Sequence, residues 1–162
     1  RRVCLYSLTF QIYKGGEAFY LYKKSLNFLK LGQLEMALGE IDRALSLNLG
    51  IDYFWATRGE IFLRMNRRSE AATCINKVLE ISANHYNLVL AGYFSFLVGN
   101  QEKGMRMAQK SISNWPEDQR GYAYALCRYA RMLHMSSRIV EGSYHMQASC
   151  KMGASECCAL LR

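Results

Sequence analysis

Small and apolar side chains return along this chain at helical spacing. Ala37, Ile41 and Ala44, then Ala71, Ile75 and Val78, then Gly104, Ala108 and Ser111 each fall at i, i+4 and i+7. That spacing puts each trio on one face of an α-helix. A second helix precedes each of them: Ala18 to Leu31, a stretch carrying Trp55, Gly59 and Phe62, and a stretch carrying Leu88, Gly92 and Phe96. Gly32 and Gly99 separate two of these pairs and enter the left-handed region without a Cβ penalty; Asn66, which tolerates that region, separates the third. The pattern predicts three helix hairpins over 18–51, 52–84 and 85–118, the last closed by the helix stop Trp115-Pro116.

Three pairs of small residues stand twelve apart: Ser25/Ala37, Gly59/Ala71 and Gly92/Gly104. Antiparallel helices approach closely where neither presents a large side chain, so each pair marks the contact inside one hairpin. Steps of 34 and 33 residues from pair to pair are the period of a helical solenoid. The expected fold is therefore all-α.

Both ends of the array are less regular. A fourth, degenerate unit is expected over 119–152, its first helix (about 118–134) rich in Tyr122, Tyr124, Tyr129 and Met132 and its second over about 137–151. Two registers fit it. Ala125 opposite Ser137 keeps the small-residue rule but sets Arg128 in an apolar slot, whereas Leu126 opposite Arg138 keeps Tyr129 inward and breaks the contact. The tail 153–162 begins a further turn. At the front, Val3 to Tyr13 followed by Gly15-Gly16 reads as an N-terminal helix over 1–16, the end of an earlier unit or a cap. The chain has no initiator Met and opens inside a helical pattern, so a piece of a longer protein is expected.

Composition adds to this picture in three places. At 162 residues with 51% hydrophobic and 21% charged residues, the chain is globular in type and one domain in length. No apolar run approaches the ~20 residues that cross a bilayer, so no membrane partner is expected. The net charge is +8, from 21 basic and 13 acidic residues, which favours acidic partners. It is spread along the chain; the densest stretch is Arg120, Arg128, Arg131 and Arg138, with no acidic residue between them. Six cysteines (Cys4, Cys74, Cys127, Cys150, Cys157 and Cys158) show no CxxC spacing. Read as free buried thiols, they imply a reducing, cytoplasmic compartment. Cys150, Cys157, Cys158 and His145 lack the tight ligand pairs of a zinc site, so no metal and no cofactor is expected.

At this point the chain resembles a tetratricopeptide-repeat protein. Trp55, Gly59, Phe62, Ala71 and Ile75 match that family's large–small–aromatic then small–aliphatic pattern best. The run Lys30-Leu31-Gly32-Gln33-Leu34-Glu35-Met36-Ala37 matches next, and Pro116 supplies one terminal proline. Lys24 and Arg58 stand where an aliphatic is usual, and Gly104 replaces the common Ala; long basic stems can lie along apolar surface with the charge in water. The resemblance covers 18–118 well and 119–152 weakly. It implies a right-handed superhelical solenoid of antiparallel hairpins, a non-catalytic protein–protein interaction module, and a concave side lined by the first helix of each unit.

Carried onto this chain, the lining positions are Phe19, Tyr22, Leu26 and Leu29; Tyr53, Ala56, Glu60 and Leu63; and Tyr86, Val89, Tyr93 and Phe96. Arg120, Ala123 and Cys127 follow if the fourth unit keeps register. Lys30, Arg64 and Arg131, near the ends of those helices, would hold an acidic flank of a peptide. A surface of this content suits an apolar or amphipathic segment, though the same aromatics also suit packing against the next unit. The family's carboxylate clamp is absent: Lys23 and Asn27 sit one place out of register, and Thr57, Tyr86 and Leu90 occupy the other positions.

Two other function classes fit the residues less well. His85, His134 and His145 have no nucleophile and carboxylate in a recognisable setting, and Gly15-Gly16 lacks the strand–turn–helix context of a phosphate loop; an enzyme is not expected. Base-reading helical repeats need polar side chains at fixed inner positions. This chain sets Tyr53, Tyr86, Phe96 and aliphatics there, leaving only the Arg120–Arg138 strip for phosphate contacts. RNA or DNA association through that strip and a small secretion-type chaperone remain the alternatives to an adaptor or scaffold in a larger protein.

Overall fold

The computed structural model describes the backbone of residues 2–116 and 121–161, with side chains from Gly15 onward. Every regular element among them is helical: α1 Arg2–Lys30, α2 Leu34–Leu47, α3 Asp52–Arg64, α4 Arg68–Ile81, α5 His85–Leu97, α6 Gln101–Ser113, α7 Tyr122–Met135, α8 Ile139–Lys151 and α9 Ser155–Leu160. They fall into two compact units, residues 1–81 and 82–162. Gly15-Gly16 does not break the chain as the sequence suggested; α1 runs through both glycines as one 29-residue helix.

Each of the four hairpins turns in the same way. Gly32, Asn66, Gly99 and Ser137 all take positive φ. The next residue's N–H then reaches back to the carbonyl five positions earlier: Gln33 to Phe28, Arg67 to Phe62, Asn100 to Ser95 and Arg138 to Leu133, at 2.8–2.9 Å. This is a helix C-cap that satisfies carbonyls left open at the helix end. In the first unit, α1 and α2 meet where the buried Ser25 hydroxyl donates to the Ala37 carbonyl at 2.8 Å. Ala37, Ile41, Ala44 and Leu45 of α2, Leu21 and Leu29 of α1, and Phe54 and Ile61 of α3 form its core.

The two unusual basic residues of this unit are anchored. Lys24 pairs with Glu40 at 2.8 Å. Arg58 pairs with Asp42 at 2.7 Å, with its guanidinium 4.7 Å from the Phe62 ring centre. Burial works against the Arg58 charge, but the hydrogen bond and charge of Asp42, with a smaller contribution from Cys74, lift its pKa overall.

In the second unit α5 and α6 touch backbone to backbone. A Cβ built on Gly92 would lie 2.7 Å from the Gly104 carbonyl oxygen, and one built on Gly104 would lie 2.7 Å from the Phe96 nitrogen. The fourth hairpin takes neither register expected from the sequence. Its close pair is Ala130 opposite Gly142, where a Cβ would sit 3.0 Å from the Ala130 carbonyl. That pair is again twelve apart, and its αL turn residue Ser137 follows Ala130 by seven places, as Gly99 follows Gly92. The step from Gly92 is 38, not 33, because eight residues separate α6 from α7, whereas four separate α2 from α3 and three separate α4 from α5. Arg128 therefore occupies no apolar slot, and Tyr129 (3% exposed) is in the core with Leu126, Met132 and Leu133.

The tail forms α9, folded against α7 and α8. Here the free-thiol reading is corrected: Cys127 is bonded to Cys157 and Cys150 to Cys158. Folding α9 back across α7 brings together cysteines 30 positions apart, which linear spacing hides. These four residues therefore no longer point to a reducing compartment. Cys74 remains a free, buried thiol, and burial raises its pKa; the Cys4 side chain lies outside the described residues.

Candidate functional site

The first helices of the hairpins carry the expected lining positions, and the corrected register aligns them in all four. Six residues before the small contact residue (Ser25, Gly59, Gly92, Ala130) stands an aromatic side chain every time: Phe19, Tyr53, Tyr86 and Tyr124. Three of the four are well exposed, Phe19 at 46%, Tyr53 at 43% and Tyr124 at 41%. Tyr124 was missed as a lining residue because a repeat step of 34 from Tyr86 pointed at Arg120 instead. Arg120, at the start of that expected strip, lies outside the described residues.

In the first unit the aromatics form one cluster. Tyr22 lies 5.9 Å from Phe19, 5.0 Å from Tyr53 and 5.2 Å from Phe54, ring centre to ring centre, and Tyr53 meets Phe54 edge-on at 5.1 Å. Such pairs add ~0.5–1.5 kcal/mol each beyond area burial, so the exposed rings of Phe19 and Tyr53 stand on a firm base. Leu26, Ala56 and Leu63 are half-buried beside them, whereas Leu29 is in the core. Glu60 and Arg64 pair at 2.9 Å, and Arg64 also donates to the Leu29 carbonyl at 3.1 Å near the C-terminus of α1. Arg64, expected to hold an acidic flank, is thus already engaged twice. Lys30 is exposed.

In the second unit two expected lining residues are corrected. Val89 (0%) and Phe96 (4%) are core residues, because α5 packs on both α6 and α7 and both side chains fall in those contacts. Tyr86 and Tyr93 are half-buried, each beneath a guanidinium from α7. Arg128 lies 5.1 Å from the Tyr86 ring centre and donates to its hydroxyl at 2.8 Å, and Arg131 lies 5.3 Å from the Tyr93 ring centre. Ala123 is half-buried and Cys127 is locked in its disulfide. Trp115 meets Tyr122 at 5.3 Å and His85 at 6.0 Å, closing the end of this layer. Of the basic strip, Arg138 is tied to Glu141.

The histidines have ordinary local partners. His85 Nδ1 lies 3.1 Å from the Ser111 carbonyl, His134 Nε2 lies 3.1 Å from Ser143 Oγ, and His145 packs on Tyr129 and Tyr144. Among the described residues no three His, Cys, Asp or Glu gather as a metal site. No helix among them is long and apolar enough to cross a membrane.

No family model and no curated protein matches the sequence. Solved structures do match the fold. The first tetratricopeptide domain of Spaghetti (RPAP3), bound to the HSP90 peptide SRMEEVD, aligns with 76% of this chain and 95% of its own, at TM-score 0.58 and 12% identity. The Sgt2 tetratricopeptide domain from Aspergillus fumigatus aligns with 77% of this chain and 80% of its own, at TM-score 0.59 and 15% identity. A tetratricopeptide repeat protein from Parabacteroides merdae aligns with 81% of this chain and 50% of its own, at TM-score 0.65 and 18% identity. The chain has the tetratricopeptide-repeat fold.

Proposed function

We propose that the protein is a non-catalytic interaction module whose first-helix faces bind apolar or amphipathic peptide segments of a protein partner. One observation carries this reading: an aromatic residue recurs at the same first-helix position in every hairpin, and at Phe19, Tyr53 and Tyr124 more than 40% of it stays in contact with solvent. Core packing alone does not require a large aromatic ring to remain exposed at a repeating position. Clustered exposed aromatics are the side chains that dominate protein interfaces. The likeness to a domain bound to an HSP90 peptide supports the same class of partner, while the absence of that family's clamp residues argues for a different peptide chemistry. Candidate contact residues are Phe19, Tyr22, Leu26, Tyr53 and Glu60 on the first unit and Tyr86, Tyr93, Tyr124 and Arg131 on the second.

The test is peptide-array binding with the wild type and with Tyr53→Ala/Tyr124→Ala. Tyr53 gives up its ring pairs with Tyr22 and Phe54, so helicity should hold and stability fall by about 1–3 kcal/mol, while binding of the still-folded protein falls at least tenfold, or ~1.4 kcal/mol. Binding that persists unchanged in this variant would remove the first-helix faces from consideration.

A further inference from the structure

Two arginines of the second unit, Arg128 and Arg131, rest on tyrosine rings of α5 with no carboxylate partner among the described residues. Arg106 pairs with Glu102 and Arg138 with Glu141, and in the first unit Arg43, Arg58, Arg64 and Arg67 also have carboxylate partners. Arg128 and Arg131 stand three residues apart on one helix, a spacing at which like charges repel. The other hairpins show no pair of basic residues there: the matching positions are Leu90 and Tyr93 on α5, Thr57 and Glu60 on α3, and Lys23 and Leu26 on α1.

Residues 124, 128, 131 and 135 fall at i, i+4, i+7 and i+11, so Tyr124, Arg128, Arg131 and Met135 form one stripe along α7. Tyr124 is 41% and Met135 48% exposed, the two arginines are partly exposed between them, and residues 125–127, 129–130 and 132–133 are buried. The stripe is about 16 Å long, which an extended segment of about five residues spans. Each guanidinium carries five N–H donors; one of Arg128's is given to the Tyr86 hydroxyl, and those that remain can meet a carboxylate in the paired N–H···O geometry in which arginine binds acids best.

We propose that this stripe selects its ligand: a peptide with two carboxylates one residue apart, flanked on both sides by apolar residues. The proposal rests on the peptide-binding reading above and names the partner chemistry at one of its faces. Tyr124 and Met135 take the apolar flanks, and Arg128 and Arg131 take the two acids. The stripe lies on one helix and differs from a clamp assembled from three.

The probe is a set of fluorescein-labelled 12-residue peptides, each with two glutamates one residue apart between leucine or phenylalanine, together with glutamine and lysine counterparts. Anisotropy titrations of the full chain should give at least tenfold tighter binding for glutamate than for glutamine peptides, with the gap closing as salt rises. Arg128→Gln/Arg131→Gln should abolish the preference, bringing the glutamate peptides to the affinity that the same variant shows for the glutamine peptides; Arg128→Glu/Arg131→Glu should transfer it to the lysine peptides, with circular dichroism verifying the fold of each. If wild type binds glutamate and glutamine peptides equally, the selectivity is refuted while the interaction module stands. If no peptide binds, both readings fall. If instead a single-stranded RNA oligomer binds through these arginines and the glutamate peptides do not, the anion is a phosphate backbone and the proposal is overturned.

Discussion

Gly104→Ala sets one methyl group against backbone that has nowhere to go. Its Cβ would meet the Gly92 carbonyl oxygen, the Phe96 nitrogen at 2.7 Å and the Phe96 Cβ at 3.0 Å, where ordinary contact begins at 3.4 Å. Relief requires α5 and α6 to part by ~0.7 Å or more, a gap that forfeits a quarter to a half of each dispersion contact across it. Overpacking of this kind costs about 3 kcal/mol. Alanine returns about 1 kcal/mol through helix propensity, leaving a net loss of about 2 kcal/mol. Gly39→Ala is the internal control: Gly39 is exposed in mid-α2, and a methyl group added there would have nothing within 4 Å of it, so only the propensity gain of about 1 kcal/mol applies. Urea unfolding followed by far-ultraviolet circular dichroism reads both. The two substitutions should move the midpoint in opposite directions. A Gly104→Ala protein as stable as the wild type would refute the backbone contact between α5 and α6.

Two further outcomes follow from the cysteines. Loop-closure entropy assigns about 3–4 kcal/mol to the Cys127–Cys157 bond and about 2–3 kcal/mol to Cys150–Cys158, which close spans of 30 and 8 residues. A six-residue helix does not persist alone in water, so a dithiol reductant should strip amide-exchange protection from α9 and lower the melting temperature of the second unit. Identical melts with and without reductant would contradict the disulfide assignment. Burial raises the Cys74 thiol pKa, against the smaller opposing effect of Arg58, so the reactive thiolate is scarce in the native protein. Cys74 should resist iodoacetamide until urea unfolds the chain; rapid native alkylation would contradict its burial.

The hairpins were legible because one physical constraint writes itself into the sequence at fixed spacing. Close helix contact demands small residues twelve apart, and Ser25/Ala37 and Gly92/Gly104 meet as that rule requires. The fourth unit misled because the period itself changed. The longer α6–α7 connection shifted the pair to Ala130/Gly142, and with it Tyr124, Arg128 and Arg131 moved to their true positions. Gly142 twelve after Ala130 was the available signal. Val89 and Phe96 were misread because a first helix buries two flanks, one on its own hairpin partner and one on the next hairpin, and family positions do not say which residues fall there. The Cys127–Cys157 disulfide was hidden for another reason: α9 docks across α7, and a contact between cysteines 30 residues apart leaves no trace in local spacing.

Whether the first-helix faces receive a peptide decides the function proposed for this chain. Amide chemical-shift mapping during titration with a glutamate-containing apolar peptide measures this directly. Shifts should concentrate on the faces bearing Phe19, Tyr53, Tyr124 and Arg131. Shifts confined instead to the exposed side of α8, where Val140 is 87% and Tyr144 71% accessible, would contradict it.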